Sequence, residues 1–200
     1  MELQQAIINR RSIKSFDPKH TMPEAEIEKL LRLAILSPTA FNIQHWRFVI
    51  VDDIDLRNKI KDESWGQDQV TDASLFIVLA GDLMAWNKST SRYWRNAPKD
   101  IQDFMVPTIC DYYDKKPEVQ RDEVMRSCSM AAMNLMLTAK DLGYDSCPMD
   151  GFNFEKVAKL LNFPSDHIPV MFVAIGKPLN DPRPRSGQLS IKQVVQYNQF

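Results

Sequence analysis

The spacing of apolar residues divides this chain into helices and strands. Leu3, Ala6 and Ile7 give a short N-terminal segment one apolar edge at helical spacing. Ile27, Leu30, Leu31, Ala34 and Ile35 follow the i, i+3, i+4, i+7, i+8 recurrence of a helix with one buried face. Thr21 to Glu24 has capping-box spacing, with Pro23 in the first turn, and Pro38 ends the helix by disfavouring helical backbone at Ser37. A longer stripe of Val124, Cys128, Ala131, Ala132, Leu135, Ala139 and Leu142 predicts a helix from about Glu118 to Leu142, stopped by Gly143. Its small residues let a neighbouring helix approach closely. Asn153 is placed to cap a further helix through Leu161, with Phe152 and Val157 as a hydrophobic staple.

Three apolar runs are short enough for buried strands: Phe48 to Val51, Leu75 to Leu79, and Val170 to Ile175, the last closed by Gly176. Helices and strands mix without a regular βαβ series, and no Gly-x-Gly-x-x-Gly turn is present, which argues against a Rossmann domain. The expected class is α+β. The 200 residues contain no repeat, low-complexity tract or Pro/Gly/Ser linker, so one domain over residues 1–200 is expected.

Composition narrows the function. A formal net charge of -1 lacks the electrostatic footprint of a nucleic-acid binder. No apolar run is long enough to span a bilayer, and the N-terminus has no signal-peptide h-region. Cys110, Cys128 and Cys147 are odd in number and irregularly spaced, which fits neither a disulfide framework nor a metal-ligand pattern. A reduced, cytoplasmic protein is expected, with no membrane or nucleic-acid partner and no metal site.

Two polar clusters carry the candidate chemistry. In Arg10-Arg11-Ser12-Ile13-Lys14-Ser15-Phe16, cations and hydroxyls follow the first helical segment. They either complement the negative end of its dipole or form an anion site, where guanidinium forks suit phosphate oxygens. The stretch Ser37-Pro38-Thr39-Ala40-Phe41-Asn42-Ile43-Gln44-His45-Trp46 offers Thr, Asn and Gln as adaptable donors and acceptors on a loop before a strand. Trp86, Tyr93, Trp94, Phe104, Tyr112 and Tyr113 interleave with Lys and Arg, but the neutral net charge weighs against stacking on nucleic acid. Cys147 reads as a packing residue, His20 and His167 as surface or loop residues, and Glu118, Asp122 and Glu123 as a helix's acidic first turn.

The Arg10–Phe16 and Pro38–Trp46 stretches resemble two motifs of the FMN-dependent nitroreductase family. Asp72-Ala73-Ser74, Cys147-Pro148-Met149-Asp150-Gly151-Phe152 and Arg183-Pro184-Arg185 resemble three further landmarks in the same order, so the resemblance spans almost the whole chain. It implies a three-layer sandwich, with a central, mostly antiparallel sheet flanked by helices. It also implies an NAD(P)H oxidoreductase that passes hydride through flavin N5, in a ping-pong cycle, to nitroaromatic, quinone-like or other electron-poor acceptors. No acid/base side chain is required for this. The alternatives are another flavin reaction (dehalogenation or flavin fragmentation) or a flavin-binding protein without turnover.

Carried onto this sequence, the resemblance places Arg10, Ser12, Arg183 and Arg185 at the FMN phosphate, with Arg11 beside them. It places Lys14 and Gln69 at the pyrimidine edge and Thr39, Asn42 and Gln44 along the ring system or ribityl chain. Pro148, Met149, Asp150 and Gly151 would line one ring face, with a backbone N–H of Asp150 or Gly151 aimed at N5. Residues of about 84–115 would form a lid over the flavin, and 186–200 a tail embracing the partner in a homodimer. Three positions depart from the common pattern: His45 replaces proline, Gln69 stands where some relatives have lysine, and Asp150 replaces glutamate. Acceptor specificity is the property these departures touch.

Overall fold

The computed structural model describes residues 1–200 and contains one sheet of four strands. These are β1 (Trp46–Ile50), β2 (Leu75–Asp82), β3 (Asp145–Met149) and β4 (His167–Gly176). Their order is β1-β2-β4-β3, and every neighbouring pair is antiparallel. Alternate residues of the central strands serve opposite faces, because side chains along a strand alternate. Leu75, Ile77, Leu79, Val173 and Ile175 pack on one side with α2 (Glu24–Ala34) and α6 (Pro117–Asp141). Phe76, Val78, Phe172 and Ala174 pack on the other with Ile60 of α3 (Ile54–Asp62), Val70 of α4 (Gln69–Asp72) and Val157 of α7 (Phe154–Leu160). The result is the expected three-layer α+β sandwich. β2 is buried along its whole length, which is why its sequence is a continuous apolar run.

α6 is the structural spine, and its predicted stripe faces the core: Val124, Cys128, Ala131, Ala132, Leu135 and Ala139 are all buried. A Cβ added to Gly81 in β2 would lie 2.0 Å from Val124 Cγ1, so the helix approaches the sheet more closely than any side chain at 81 permits. Burial also pushes the Cys128 thiol up to about 12. Gly143 ends the helix at φ 79, donating its N–H to Lys140 O at 3.1 Å while Tyr144 N–H reaches Ala139 O at 2.8 Å. That pair of bonds is the Schellman arrangement, and it requires left-handed backbone at residue 143. Asn153 caps α7 as expected, accepting from Lys156 N–H at 3.1 Å.

Other expectations are corrected. Thr21 does not cap α2: Pro23 occupies the N-cap position in extended geometry, and no side chain bonds the first turn. Met22 is buried in the core, which draws the preceding residues out of a capping path. β1 is an edge strand, so Phe48 and Val49 are only partly covered and Ile50 is exposed, although Val51 just beyond the strand is buried. β3 has no apolar run to announce it, and it contains Pro148. An edge position tolerates the missing N–H. In α1 (Leu3–Asn9) only Ala6 is buried, leaving Leu3, Ile7 and Ile8 exposed.

The aromatic-rich segment folds as helical turns at Ala85–Asn87 and Thr90–Trp94 and as α5 (Lys99–Tyr113). Trp86 and Tyr113 form a small separate core there with Ile43, Ala85 and Ile109. Residues from Pro178 onward are exposed and include α8 (Ile191–Val194), whose start is capped by Ser190 and Gln193. No helix is long and apolar enough to cross a membrane.

Gly81→Ala is expected to destabilise the fold by about 2 kcal/mol, because neither Val124 nor the β2 backbone can yield without disturbing the core. A thermal melt should show this as a loss of about 6 °C, and an unchanged midpoint would rule out the close approach.

Candidate functional site

Residues 10–17 leave α1 in extended form, and Ile13 and Phe16 insert into the core. Ile13 N–H donates to Ser146 O at 3.0 Å, beside a parallel bridge between Ser12 and Ser146. Phe16 bridges Pro178, Asp17 N–H donates to Lys177 O at 2.9 Å, and Leu179 N–H donates to Ser15 O at 3.1 Å. This double pairing carries the segment after β4 back to the N-terminal motif. Arg11 Nη2 then donates to Arg183 O, 172 residues away in sequence, and Arg185 Nη2 donates to Ile8 O at 3.0 Å. Arg11, Ser12, Lys14, Ser15 and Arg183 line a cavity of about 440 Å³.

None of Arg10, Arg11, Lys14, Arg183 and Arg185 forms a salt bridge within the chain. Arg10 Nε is buried without a hydrogen-bond partner. Arg11, Lys14 and Arg183 at the cavity, with Arg185 on the Arg10 carbonyl and the orphaned donor of Arg10 next in the chain, make an unneutralised basic group suited to a polyanion such as phosphate. The helix-dipole reading of the motif accounts for neither Arg183 nor Arg185.

Beyond the phosphate-like cradle, Lys14 Nζ lies 3.4 Å from Cys147 Sγ, and Gln69 Nε2 lies 4.0 Å from the same sulfur. Lys14 and Gln69 thus converge on Cys147 of β3. Pro148 is half-buried, Met149 points its side chain into the core, and Asp150 is exposed. For Met149 this leaves the backbone, not the side chain, to face a ligand. Gly151 O accepts from Gln67 Nε2 at 3.3 Å. The indole of Trp65 lies over Gly151, where an added Cβ would meet Trp65 Cζ3 at 2.5 Å.

Trp65 and Gln67 are functional candidates that sequence reading missed. Their only signal is one aromatic residue, followed by glycine, in the otherwise polar stretch from Lys61 to Gln69. Trp65 adopts φ 56, left-handed backbone that carries a penalty of roughly 1–2 kcal/mol for a bulky side chain.

The second cluster is built around strained backbone. Phe41, Asn42 and Gln44 have φ of 53, 57 and 55. Thr39 Oγ1 accepts from Gln44 N–H at 3.1 Å, Asn42 Nδ2 donates to Tyr93 O at 2.8 Å, and Trp94 Nε1 donates to Phe41 O at 3.0 Å. Asn42, Gln44, Arg47, Arg92, Tyr93 and Arg95 border a cavity of about 520 Å³. The three polar candidates therefore sit together, but not with Arg10 and Lys14. The loop enters β1 at Trp46, opposite Gly81, whereas Ser12 bridges Ser146, which lies opposite Ile175 and one strand beyond that Leu75. Six strand residues span about 20 Å and three strand spacings about 14 Å, so the clusters occupy diagonal corners of the sheet.

His45 is buried under the aromatic segment, its ring 6.1 Å from that of Tyr113. Its Nδ1 lies 3.2 Å from Asp82 O, so that nitrogen donates, while Nε2 is buried and unpartnered. Burial lowers its pKa below the ordinary 6.5. Nearby, the Asp82 carboxylate is held by Arg47 and Lys88, each at 2.9 Å. Lys88 also pairs with Asp166 at 2.6 Å, and its bond, aided by His167, holds that carboxyl at about 2. Asp82, Asp166 and His167 are close enough to suggest metal ligands, but Arg47 and Lys88 already neutralise the carboxylates. His167 is the first residue of β4 and is half-buried, not a free surface histidine.

The sequence pattern of the nitroreductase family matches residues 7–177, which includes the Arg10–Phe16, Pro38–Trp46 and Cys147–Phe152 motifs but not Arg183 or Arg185. Protein DrgA of Synechocystis sp. is 50% identical over 181 residues, covering 90% of this chain and 86% of that protein. MhqN of Bacillus subtilis, named "Putative NAD(P)H nitroreductase", is 32% identical over 203 residues and covers 98% of both chains. The crystal structure of a "putative nitroreductase in complex with FMN" from Exiguobacterium sibiricum superposes with a TM-score of 0.89 at 26% identity. It covers 98% of this chain and 97% of that one.

The buried histidine has a measurable consequence. The unfolded chain binds a proton at the ordinary histidine pKa that the folded chain refuses, so stability falls as pH drops below about 6.5. The thermal midpoint is expected to decline from about pH 7 to about pH 5, and the decline to be shallower in His45→Asn, which keeps a donor for Asp82 O. Parallel slopes in the two proteins would exclude His45 as the source.

Proposed function

Because the chain belongs to the nitroreductase family, we propose that it is an FMN-dependent NAD(P)H oxidoreductase acting on electron-poor organic acceptors such as nitroaromatics and quinones. The observation that carries this reading is the unneutralised group of Arg10, Arg11, Arg183 and Arg185, with the orphaned, buried Arg10 Nε among them. That cradle fits the phosphate of FMN, and the FMN-bound relative supports the choice of cofactor. Arg10, Arg11, Ser12, Arg183 and Arg185 bind the phosphate end in this reading.

Bound FMN supplies hydride acceptance from NADH or NADPH and hydride donation to the acceptor in alternate half-reactions. Lys14 holds a positive charge beside Cys147, where it stabilises the anionic charge that reduction places on the pyrimidine edge. Gln69 is neutral, so Lys14 carries that duty without a second cation from residue 69. Asp150 and Gly151 present backbone at the reactive edge. No side chain needs to act as acid or base.

The diagonal separation of the two clusters supports a homodimer in which Thr39, Asn42 and Gln44 come from the second copy. Exposed Leu3, Ile8, Leu36, Ile191 and Val194 are the apolar residues such an interface would cover. In that assembly residues of about 84–115 serve as the lid and 186–200 as the tail that holds the partner.

Arg10→Ala is expected to lose FMN on purification, which the ratio of flavin to protein absorbance measures. Lys14→Met is expected to keep FMN and to lower its midpoint potential by about 30–60 mV, equivalent to one charge-assisted bond in a two-electron couple. Anaerobic titration with NADH and NADPH should bleach the wild-type flavin. Wild-type protein that takes up no FMN, or holds it without bleaching, overturns the reading.

A further inference from the structure

Trp65 stands where a stable exposed surface has no use for it. Its residue is 82% exposed, yet it sits at φ 56, next to Gly66 at φ 67. Strained backbone of this kind persists only where the surroundings enforce it, and it gathers at ligand sites. Here the enforcement is visible. Ser64 is fully buried and donates its hydroxyl to Ile60 O at 2.6 Å, Gly66 N–H reaches Lys61 O at 3.1 Å, and Asn153 N–H ties Glu63 O at 2.8 Å. The turn is therefore rigid, and it presents the indole in a fixed direction.

One side of that indole rests on Gly151, so closely that no side chain at 151 can coexist with it. No other aromatic ring packs with Trp65, no cation sits over it, and its Nε1 has no bond within the chain. The side away from Gly151 is an unused π-surface. Gln67, two residues on, also reaches the Gly151 carbonyl, so the turn and the Asp150–Gly151 backbone move as one body.

We propose that Trp65 is a specificity-determining residue, the platform on which the planar ring of the electron acceptor stacks. This rests on the FMN reading above, in which Asp150 and Gly151 lie at the reactive edge. Trp65 then selects flat aromatic acceptors by offset stacking, and discriminates little among substituents because every such ring has a π-face. Gly151 is glycine on this account because it must make room for the indole, as well as for its own backbone to approach a ligand.

The test uses the FMN-loaded protein, reduced with NADPH and mixed rapidly with either 4-nitrobenzoate or ferricyanide, which needs no stacking to accept electrons. Trp65→Ala and Trp65→Leu are expected to raise the half-saturating concentration of 4-nitrobenzoate about ten-fold, and Trp65→Phe to stay within about three-fold of wild type. Ferricyanide oxidation, flavin content and oligomeric state should be unchanged in all three. The assignment is overturned by an unaltered Trp65→Ala, by Trp65→Leu performing as well as Trp65→Phe, or by equal losses with ferricyanide. Dissociation of Trp65→Ala into monomers also overturns it, making the indole an interface residue. Wild-type protein that binds no FMN removes the reading beneath the proposal, whereas a wild type that turns over with an indifferent Trp65→Ala removes only the role of Trp65.

Discussion

The site depends on residues 12–17 being paired on both sides, to Ser146 of β3 on one and to residues 177–179 on the other. Ile13 and Phe16 enforce the arrangement from within, since both are buried in the apolar layer and anchor the segment on either side of a bend at Lys14, while Ser12 and Lys14 flank the buried Ile13. With that register set, Ser12 and Lys14 must point the other way. The hydrogen bonds then return the chain after β4 to the same place, and Arg183 and Arg185 meet Arg10 and Arg11 as a consequence. Like charges are gathered by apolar burial elsewhere, not by any attraction among themselves. Mutual repulsion and an unpartnered guanidinium nitrogen are what the assembled protein retains for a ligand to relieve.

The rest of the candidate chemistry is held by strain. Phe41, Asn42, Gln44 and Trp65 all occupy left-handed backbone, and each lies beside a group assigned to binding. In the Phe41–Gln44 loop the strain is fastened by bonds to the Thr90–Trp94 turn, through Tyr93 O and Trp94 Nε1. At Trp65 it is fastened by a buried serine and two backbone bonds. The Asp82–Lys88–Asp166 network does the same work for the base of the aromatic segment, tying its first turn to the ends of β2 and β4. Rigid support for loops of this kind is what places ligand-binding groups reproducibly.

Patterning revealed the parts of the fold whose contacts are local or periodic. The α6 stripe, the Gly143 stop, the Asn153 cap and the central strands were all legible, because each is decided within a few residues. β3 was not, since an edge strand that includes Asp145, Ser146 and Pro148 has neither apolar run nor β propensity to mark it. Thr21 was misread as a cap because nothing local says that Met22 will be drawn into the core. In the site, the basic motif was recognisable but its partners at 183 and 185 followed only from the family resemblance. Trp65 was invisible because its meaning lies in a contact with Gly151, and nothing local in the aromatic-rich segment says that Trp86 and Tyr113 will form a core of their own.

The bond from Arg11 to the Arg183 carbonyl joins residues 172 positions apart. Contacts of that separation carry a large loop-closure entropy and form late. A chain emerging from the ribosome can fold α2 and pair β1 with β2 while most of its sequence is still unmade. It cannot complete the basic cradle until residues 177–185 have been synthesised and have found residues 10–17. Any anionic cofactor is therefore captured after translation, by a sandwich already formed, and a message truncated between the codons for residues 177 and 183 would still encode all four strands, but only half of the binding site.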